Sequence, residues 1–394
     1  MIVALVAAAL AGLLLTTWEL EALRRVRRQA LPPPPRFPGI SVLKPLCGMD
    51  EELELNLRSH LAMEYPCDWE IVLGVRGAED GAYPLARAFA DAHPERVRLV
   101  VQEGEPGRNP KVNQLISLTR AARYEALALT DSNVRVAPGY LAEVASVLAS
   151  PGIGLAFHLV AGVGERGMGA VLDNLTLSSF IATNLSASTR FLQLDNVMGK
   201  SMALRREVLE ALGGWHAVKD HLAEDHVLGK LLRRRGLHAG LCPTPVQNVQ
   251  VHLPLRHFWD RHTRWLMLRF LASPFTTLLE PLVLPVLFTL AAALLSPASA
   301  AGWLIFAAAW AWQAVMAQVS ARLLRGRGFR PWQLLLLPLR EALFLGAWVR
   351  GATLRRVAWR GNRLAVLPGT RLAALREPAS RTSSPPPERQ LGSR

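Results

Sequence analysis

Residues 126–133 read ALALTDSN, and the fold turns on how that octet is taken. Ala126 to Thr130 form a mostly apolar run too short for a helix, and an unbroken run of this length marks a strand covered on both faces. It stops at three polar residues, Asp131, Ser132 and Asn133. Working outward, comparable runs occupy residues 40–43, 69–75, 97–101 and 153–160. Apolar residues at helical spacing fill the intervals at 51–62, 84–92, 111–122 and 138–149. Such alternation predicts an α/β fold, a mostly parallel sheet with flanking helices on both faces. Ligands of these sheets bind beyond the carboxyl ends of the strands, which is where Asp131 falls.

The two ends of the chain have a different character. Residues 1–17 are almost all Ala, Leu, Val and Ile; Trp18 and Leu20 complete a span, and Arg24, Arg25, Arg27 and Arg28 follow it. A cleaved signal carries its charge before the apolar run. Charge after it marks an uncleaved anchor whose downstream chain stays cytosolic. After Phe275 the candidate spans are 278–295, 302–319 and 332–349, the last interrupted by Pro338, Arg340 and Glu341. An ionisable pair inside a span should face the bundle or a cavity. The expected organisation is an N-terminal transmembrane anchor at 1–20, a basic, proline-rich linker at 21–39 and a cytosolic catalytic domain at 40–265. An interfacial helix and transmembrane helices follow at 266–349, with a basic, partly disordered tail at 350–394. One anchor plus three spans would leave Arg350, Arg355, Arg356, Arg360 and Arg363 outside, against the charge rule, unless the last segment re-enters. From Arg376 the composition is Ser, Pro and Arg, which predicts disorder.

Between the sheet pattern and the spans, residues 167–189 are weakly amphipathic and suit either a core or a membrane surface. Residues 204–212 and 222–235 read as helices, the second stopping at Gly236 after three arginines. The net charge of +14 comes from arginine scattered through the 394 residues. Without a basic face interleaved with aromatics it points to anionic lipid and phosphorylated substrate, with no nucleic acid implied. Cys47, Cys67 and Cys242 are an odd set with no CxxC pair, so neither a disulfide framework nor a zinc site is indicated.

Four groups of residues suggest chemistry. Asp131, at the sheet's carboxyl edge, can hold a divalent metal against a diphosphate, the plainer alternative being an Asp that caps the next turn. Asp225, beside Glu224 at a helix start, is a candidate base for an attacking hydroxyl, although acids in a first turn are ordinary dipole partners. Arg261, Arg264 and Trp265 have i, i+3, i+4 spacing and share one helical face. Two guanidinium groups there would grip a departing diphosphate while the indole packs on a sugar or lipid neck; an interfacial Arg-Trp belt is the alternative. Lys111, where residues 107–111 open a helix, is placed to hold phosphate or a base. His252, His257 and His262 have no ligand spacing and read as structural or interfacial.

In order along the chain stand SVLKPLCGMD (41–50), NPKVNQL (109–115), DSN (131–133), MALRREVLEALGGW (202–215), AED (223–225), RHTRW (261–265), LRFLASPFTTLLEP (268–281) and RE (340–341). With these motifs the chain resembles the ceramide glucosyltransferase family, membrane glycosyltransferases of the GT-A fold, over residues 41–349. The resemblance implies a UDP-sugar donor, a divalent metal (Mg2+ or Mn2+), a cytosolic active site on the membrane, and inverting transfer of a hexose, glucose above all, to a ceramide hydroxyl. It makes Asp131 the metal and diphosphate aspartate, Asp225 the base, and Arg261, Arg264 and Trp265 the acceptor and leaving-group motif, with Lys111 as the NPK lysine. One departure stands out: Gly77 occupies the position of the family's nucleotide-binding acid, with Asp80 or Glu79 as its substitute. Alternatives are a hopanoid-type or other lipid glycosyltransferase and a catalytically inactive membrane scaffold.

Overall fold

The computed structural model describes residues 1–359 and 362–375. Eight strands, β1 (Ile40–Pro45), β2 (Trp69–Val75), β3 (Val97–Val101), β4 (Ala126–Thr130), β5 (Val134–Arg135), β6 (Ile153–Val163), β7 (Ser201–Arg205) and β8 (His238–Val249), form one sheet in the order β3-β2-β1-β4-β7-β6-β8-β5. β1 to β4 pair in parallel, as do β6 and β8, while β7 runs antiparallel to both β4 and β6. The expected α/β architecture is therefore present as a mostly parallel, mixed sheet. Alternate residues of β1, β2 and β4 serve opposite faces, as strand geometry requires. Ile40, Ile71 and Ala128 join Leu57 and Leu141 on one side, and Leu43, Val72 and Leu129 join Leu115 and Leu228 on the other.

Two readings of single segments change. Residues 204–212 are the end of β7 followed by the helix Arg206–Ala211, because Leu204 is drawn into the sheet between Leu127 and Leu155. β8 was not legible at all: Pro243 and Pro245 lie within it, and proline cannot donate to a ladder. The sheet absorbs them at a register irregularity opposite, between His158 and Val160 of β6. Residues 167–189 form the helices Met168–Thr176 and Ala182–Arg190, joined by a π turn, with Leu172, Leu175 and Phe180 buried.

Two helices, Ile2–Arg27 and Ala300–Arg325, are long and apolar enough to cross a membrane. Pro274–Val283 and Pro285–Leu294, bent by 59°, make a third crossing if they are one broken span. The first helix runs seven residues beyond the expected end of the anchor at 20. Helix Leu255–Ala272 passes without interruption through the expected boundary at 265/266. Residues 332–349 are not a span of that kind: the helix there, Leu337–Thr353, has 17 residues and packs along Leu255–Ala272, with Phe270 and Trp348 5.4 Å apart between ring centroids. Its Arg340 and Glu341 are buried and 3.6 Å apart, and Glu341 accepts the Leu287 amide at 2.8 Å, one of the orphan donors at the start of Pro285–Leu294.

Residues 356–374, taken from sequence as tail, contain a small antiparallel sheet of β9 (Arg356–Trp359), β10 (Asn362–Val366) and β11 (Leu372–Ala374). The disorder expected from Arg376 onward falls outside the described residues.

Candidate active site

The site is assembled where β4 ends and β7 begins. Because β7 runs antiparallel to β4 and pairs Ser201 with Thr130, Lys200 stands directly across from Asp131, and the Asp131 amide donates to the Lys200 carbonyl at 3.1 Å. Asp131 carries an ammonium on each carboxylate oxygen: Lys111 Nζ at 3.0 Å and Lys200 Nζ at 3.0 Å. Burial alone would raise this carboxyl, but Lys111 and Lys200 outweigh it and hold Asp131 well below the ordinary range. Beneath it the fully buried Lys44 donates to the Asp131 carbonyl at 2.7 Å, and burial brings its ammonium down to about 7.

Lys111 is the hub. Asn109 caps the helix Pro110–Ala121 by accepting from the Lys111 and Val112 amides, which projects the lysine from the first turn into the cleft. Its Nζ meets Glu224 at 2.9 Å and the Gly199 carbonyl at 2.9 Å as well as Asp131. Burial disfavours the charged amine, but the two carboxylates prevail and raise it above the usual lysine value. Asn109 also donates to the His221 carbonyl at 2.7 Å and to Glu224 at 3.3 Å, tying the acid loop to this helix.

Asp225 opens the helix Glu224–Arg234 and is half-buried. Its Oδ2 accepts the Gly199 amide at 2.7 Å and its Oδ1 the His226 amide at 2.8 Å, so the carboxylate is fixed in orientation. A Cβ on Gly199 would lie 2.8 Å from Oδ2, which explains the glycine. Burial first, then the charge of Glu224, lifts Asp225 to about 6, with Lys111 pulling the other way.

The RHTRW string lies on Leu255–Ala272. Arg261 Nη1 donates to the buried Asp173 at 3.1 Å, His262 Nε2 pairs with the other Asp173 oxygen at 3.0 Å, and the Arg261 guanidinium lies 4.6 Å from the centroid of the Trp265 ring. His262 is thus structural. Arg264 is half-buried, one turn along the same helix. Asp173 and Arg261 are close enough to Lys200 for their charges to act on one another, so this group adjoins the Asp131 cluster.

Asp80 lies apart from this cluster, in the loop after β2. Its Oδ1 accepts the Gly48 and Ala82 amides, each at 2.8 Å, which makes it a loop-fixing residue. At Gly77 an added Cβ would collide with the Glu79 carboxylate, so Glu79 folds into the space a side chain at 77 would occupy. Sequence reasoning missed Lys200, Asp173 and Lys44. A charged residue inside the otherwise uncharged segment 167–189 was a legible signal for Asp173; Lys200 had none, because its place depends on the antiparallel insertion of β7.

A mixed sheet of this order, with an acid at the carboxyl edge of its fourth strand and a second acid pair closing the cleft, defines a glycosyltransferase fold of the GT-A type. The solved mannosyltransferase from Pyrobaculum calidifontis shares it, with a TM-score of 0.53 at 20% identity, over 89% of this chain and 98% of that one. The family model for glycosyl transferase family 21 matches residues 4–372, and the chain belongs to that family. Among curated relatives, ceramide glucosyltransferase 1 of Caenorhabditis elegans is 29% identical over 252 residues, 64% of this chain and 54% of the relative. A ceramide glucosyltransferase of Komagataella phaffii is 34% identical over 128 residues, 31% of this chain and 25% of the relative. The chain thus spans about half the length, or less, of these curated relatives.

Proposed function

We propose that this protein transfers a hexose, glucose above all, from a UDP-sugar to the hydroxyl of ceramide or a ceramide-like lipid, with inversion, at the cytosolic face of a membrane. The observation that carries the reading is the convergence of Asp131, Lys111, Lys200, Glu224 and Asp225 in one cluster at the carboxyl edge of the sheet, adjoined by Arg261 and Trp265 on a helix that leads into the apolar segments. The names of its relatives supply the substrate class.

In this mechanism Asp225 takes the proton of the acceptor hydroxyl as its oxygen attacks the anomeric carbon. The backbone amides of Gly199 and His226 hold the carboxylate in place for that transfer. Lys111, Lys200 and Arg261 compensate the charge that builds on the departing diphosphate, Arg261 through its planar guanidinium. Arg264 belongs to the same leaving-group face, and Trp265 packs on the sugar or lipid neck. Asp131 is the residue to hold a Mg2+ or Mn2+ ion. It offers one carboxylate, with Asn133 in place of a second acid, and its two oxygens are engaged by Lys111 and Lys200, so it fits an ion that takes its other oxygens from substrate phosphate and water, once a lysine has turned from Asp131 to the diphosphate. When bound, the ion would offset diphosphate charge. At the nucleotide end the acid that meets the uridine is Asp80, whose Oδ1 fixes the loop, or the exposed Glu79 beside Gly77.

The test is UDP release by detergent-purified protein supplied with UDP-glucose and a ceramide, with product identified by mass spectrometry. Absence of turnover with every UDP-sugar and lipid pair would reject the enzymatic reading and favour a scaffold.

A further inference from the structure

Parallel pairing of β6 with β8 sets His158 directly beside Cys242 on the face covered by the helix Tyr140–Leu148. Glu143 projects from that helix toward both. One ligand atom of each residue, imidazole nitrogen, thiol sulfur and carboxylate oxygen, lies within 4.8 Å of the other two. His158 and Cys242 are 1% and 0% exposed.

The cluster is oriented from outside itself. His158 Nδ1 is engaged with Ser201 Oγ at 3.0 Å, and its ring stacks on Tyr140 with centroids 4.7 Å apart. Tyr140 in turn meets Ser201 through its hydroxyl at 2.9 Å. One Glu143 oxygen is pinned by the Thr244 amide at 2.6 Å. With Nδ1 committed, Nε2 of His158 is the ring's available coordinating atom, and it is buried without any hydrogen-bond partner. Buried imidazole nitrogens are normally satisfied, and hydrogen bonds that fix the ring and the carboxylate from behind are the usual surroundings of metal ligands.

We propose that Glu143, His158 and Cys242 form a second metal site, separate from the catalytic cleft, that binds a divalent transition ion of the zinc class. The donor set selects the ion: thiolate and imidazole suit zinc and disfavour Mg2+ or Ca2+, which prefer all-oxygen shells. The thiolate and carboxylate together cancel the charge of a dication, the condition for burying one in an apolar core. The ion ties β6 and β8 to the helix that covers them. Its influence reaches the catalytic cleft through Ser201, which bonds His158 on one side and follows Lys200 in the chain on the other. The proposal does not depend on which sugar or lipid the cleft accepts.

Full-length protein in detergent, stripped with chelator, is titrated with Co2+ alone. The expected result is one equivalent bound with a near-ultraviolet thiolate-to-cobalt charge-transfer band, displaced by Zn2+. That band is expected to survive in Asp131→Ala and Cys47→Ser and to vanish in Cys242→Ser, while His158→Gln weakens Co2+ binding about tenfold or more. Independently of any variant folding, alkylation of Cys242 in the unsubstituted protein should slow when Zn2+ is added. No band in stripped, folded protein, a band that persists in Cys242→Ser, or Cys242 alkylation indifferent to Zn2+ would overturn the assignment.

Discussion

At the scale of single residues the site is a problem in charge. Two ammonium groups, Lys111 and Lys200, flank one aspartate, so Asp131 stays ionised near neutrality, while burial and then the charge of Glu224 hold Asp225 at about 6 against the pull of Lys111. The two acids are thus pushed apart, as a permanently charged group and a proton acceptor require. Raising the pKa of a base means that it is protonated and idle below that value. The kcat/KM of the free enzyme should therefore fall about tenfold per pH unit below about pH 6 and level off above it. A profile flat down to pH 4.5 would remove Asp225 from the role. Asp225→Asn should lower kcat by about 10²- to 10⁴-fold with UDP-sugar affinity retained, as read by UDP release and by titration calorimetry. Asp131→Ala should abolish both donor binding and the response of turnover to Mn2+ or Mg2+; an unchanged metal titration would count against that assignment. In the loop after β2, Glu79→Ala should weaken UDP binding, read by titration calorimetry, and leave the thermal unfolding midpoint unchanged, since its side chain is exposed.

At the scale of elements, the acid loop is held from two sides. On one, Asn109 bonds His221 and Glu224. On the other, the C-terminal sheet extends onto it: Arg371 forms a bridge to His221, the Leu222 amide donates to the Thr370 carbonyl at 2.9 Å and the Leu372 amide to the Asp220 carbonyl at 2.7 Å. Leu222, Met267, Val357, Val366 and Leu372 pack as one small core beneath this seam. A basic segment that looked like tail is therefore structurally joined to the residues just before Asp225. Leu372→Ala removes a buried side chain, costing about 2–5 kcal/mol at a site of this kind. It should lower kcat and speed amide exchange at residues 219–226, while exchange in β1, β2 and β4 stays unchanged. Unaltered exchange in the acid loop would mean that the sheet does not support it.

At the scale of the whole molecule, the apolar helices fix how the domain meets a bilayer. Ile2–Arg27 and Ala300–Arg325 pack in parallel, Thr16 and Thr17 meeting Gln313 and Trp312, and Arg27 donating to the Leu323 carbonyl at 2.9 Å. Their basic ends, with Arg24, Arg25, Arg27, Arg322 and Arg325, thus lie at one level. The bent pair Pro274–Leu294, taken as one broken span, would supply the return path between them, while Leu337–Thr353 packs along Leu255–Ala272. We propose this topology because it meets the charge rule: the C-terminal arginines would then share the side of the other basic ends. A reporter joined before Met1 should be shielded from protease added to the cytosolic side of sealed vesicles, and one joined after residue 375 should be cleaved. Both reporters on one side would refute this topology.

The strands β1 to β4, the helices between them, and the places of Asp131 at a strand end and Asp225 at a helix start were legible from sequence. A strand buried on both faces must be an unbroken apolar run, and a ligand-binding edge must be where that run turns polar; both are local conditions. The helices Ile2–Arg27 and Ala300–Arg325 were legible for the same reason, since a long apolar helix is a matter of contiguous composition. Only the tertiary structure decided that Lys200 faces Asp131, that Lys111 bridges two acids, that a proline-containing segment is the strand β8, and that His158 lies beside Cys242. Those facts depend on strand order and register between residues far apart in the chain, and hydrophobic periodicity states which face of an element is buried without stating what it is buried against.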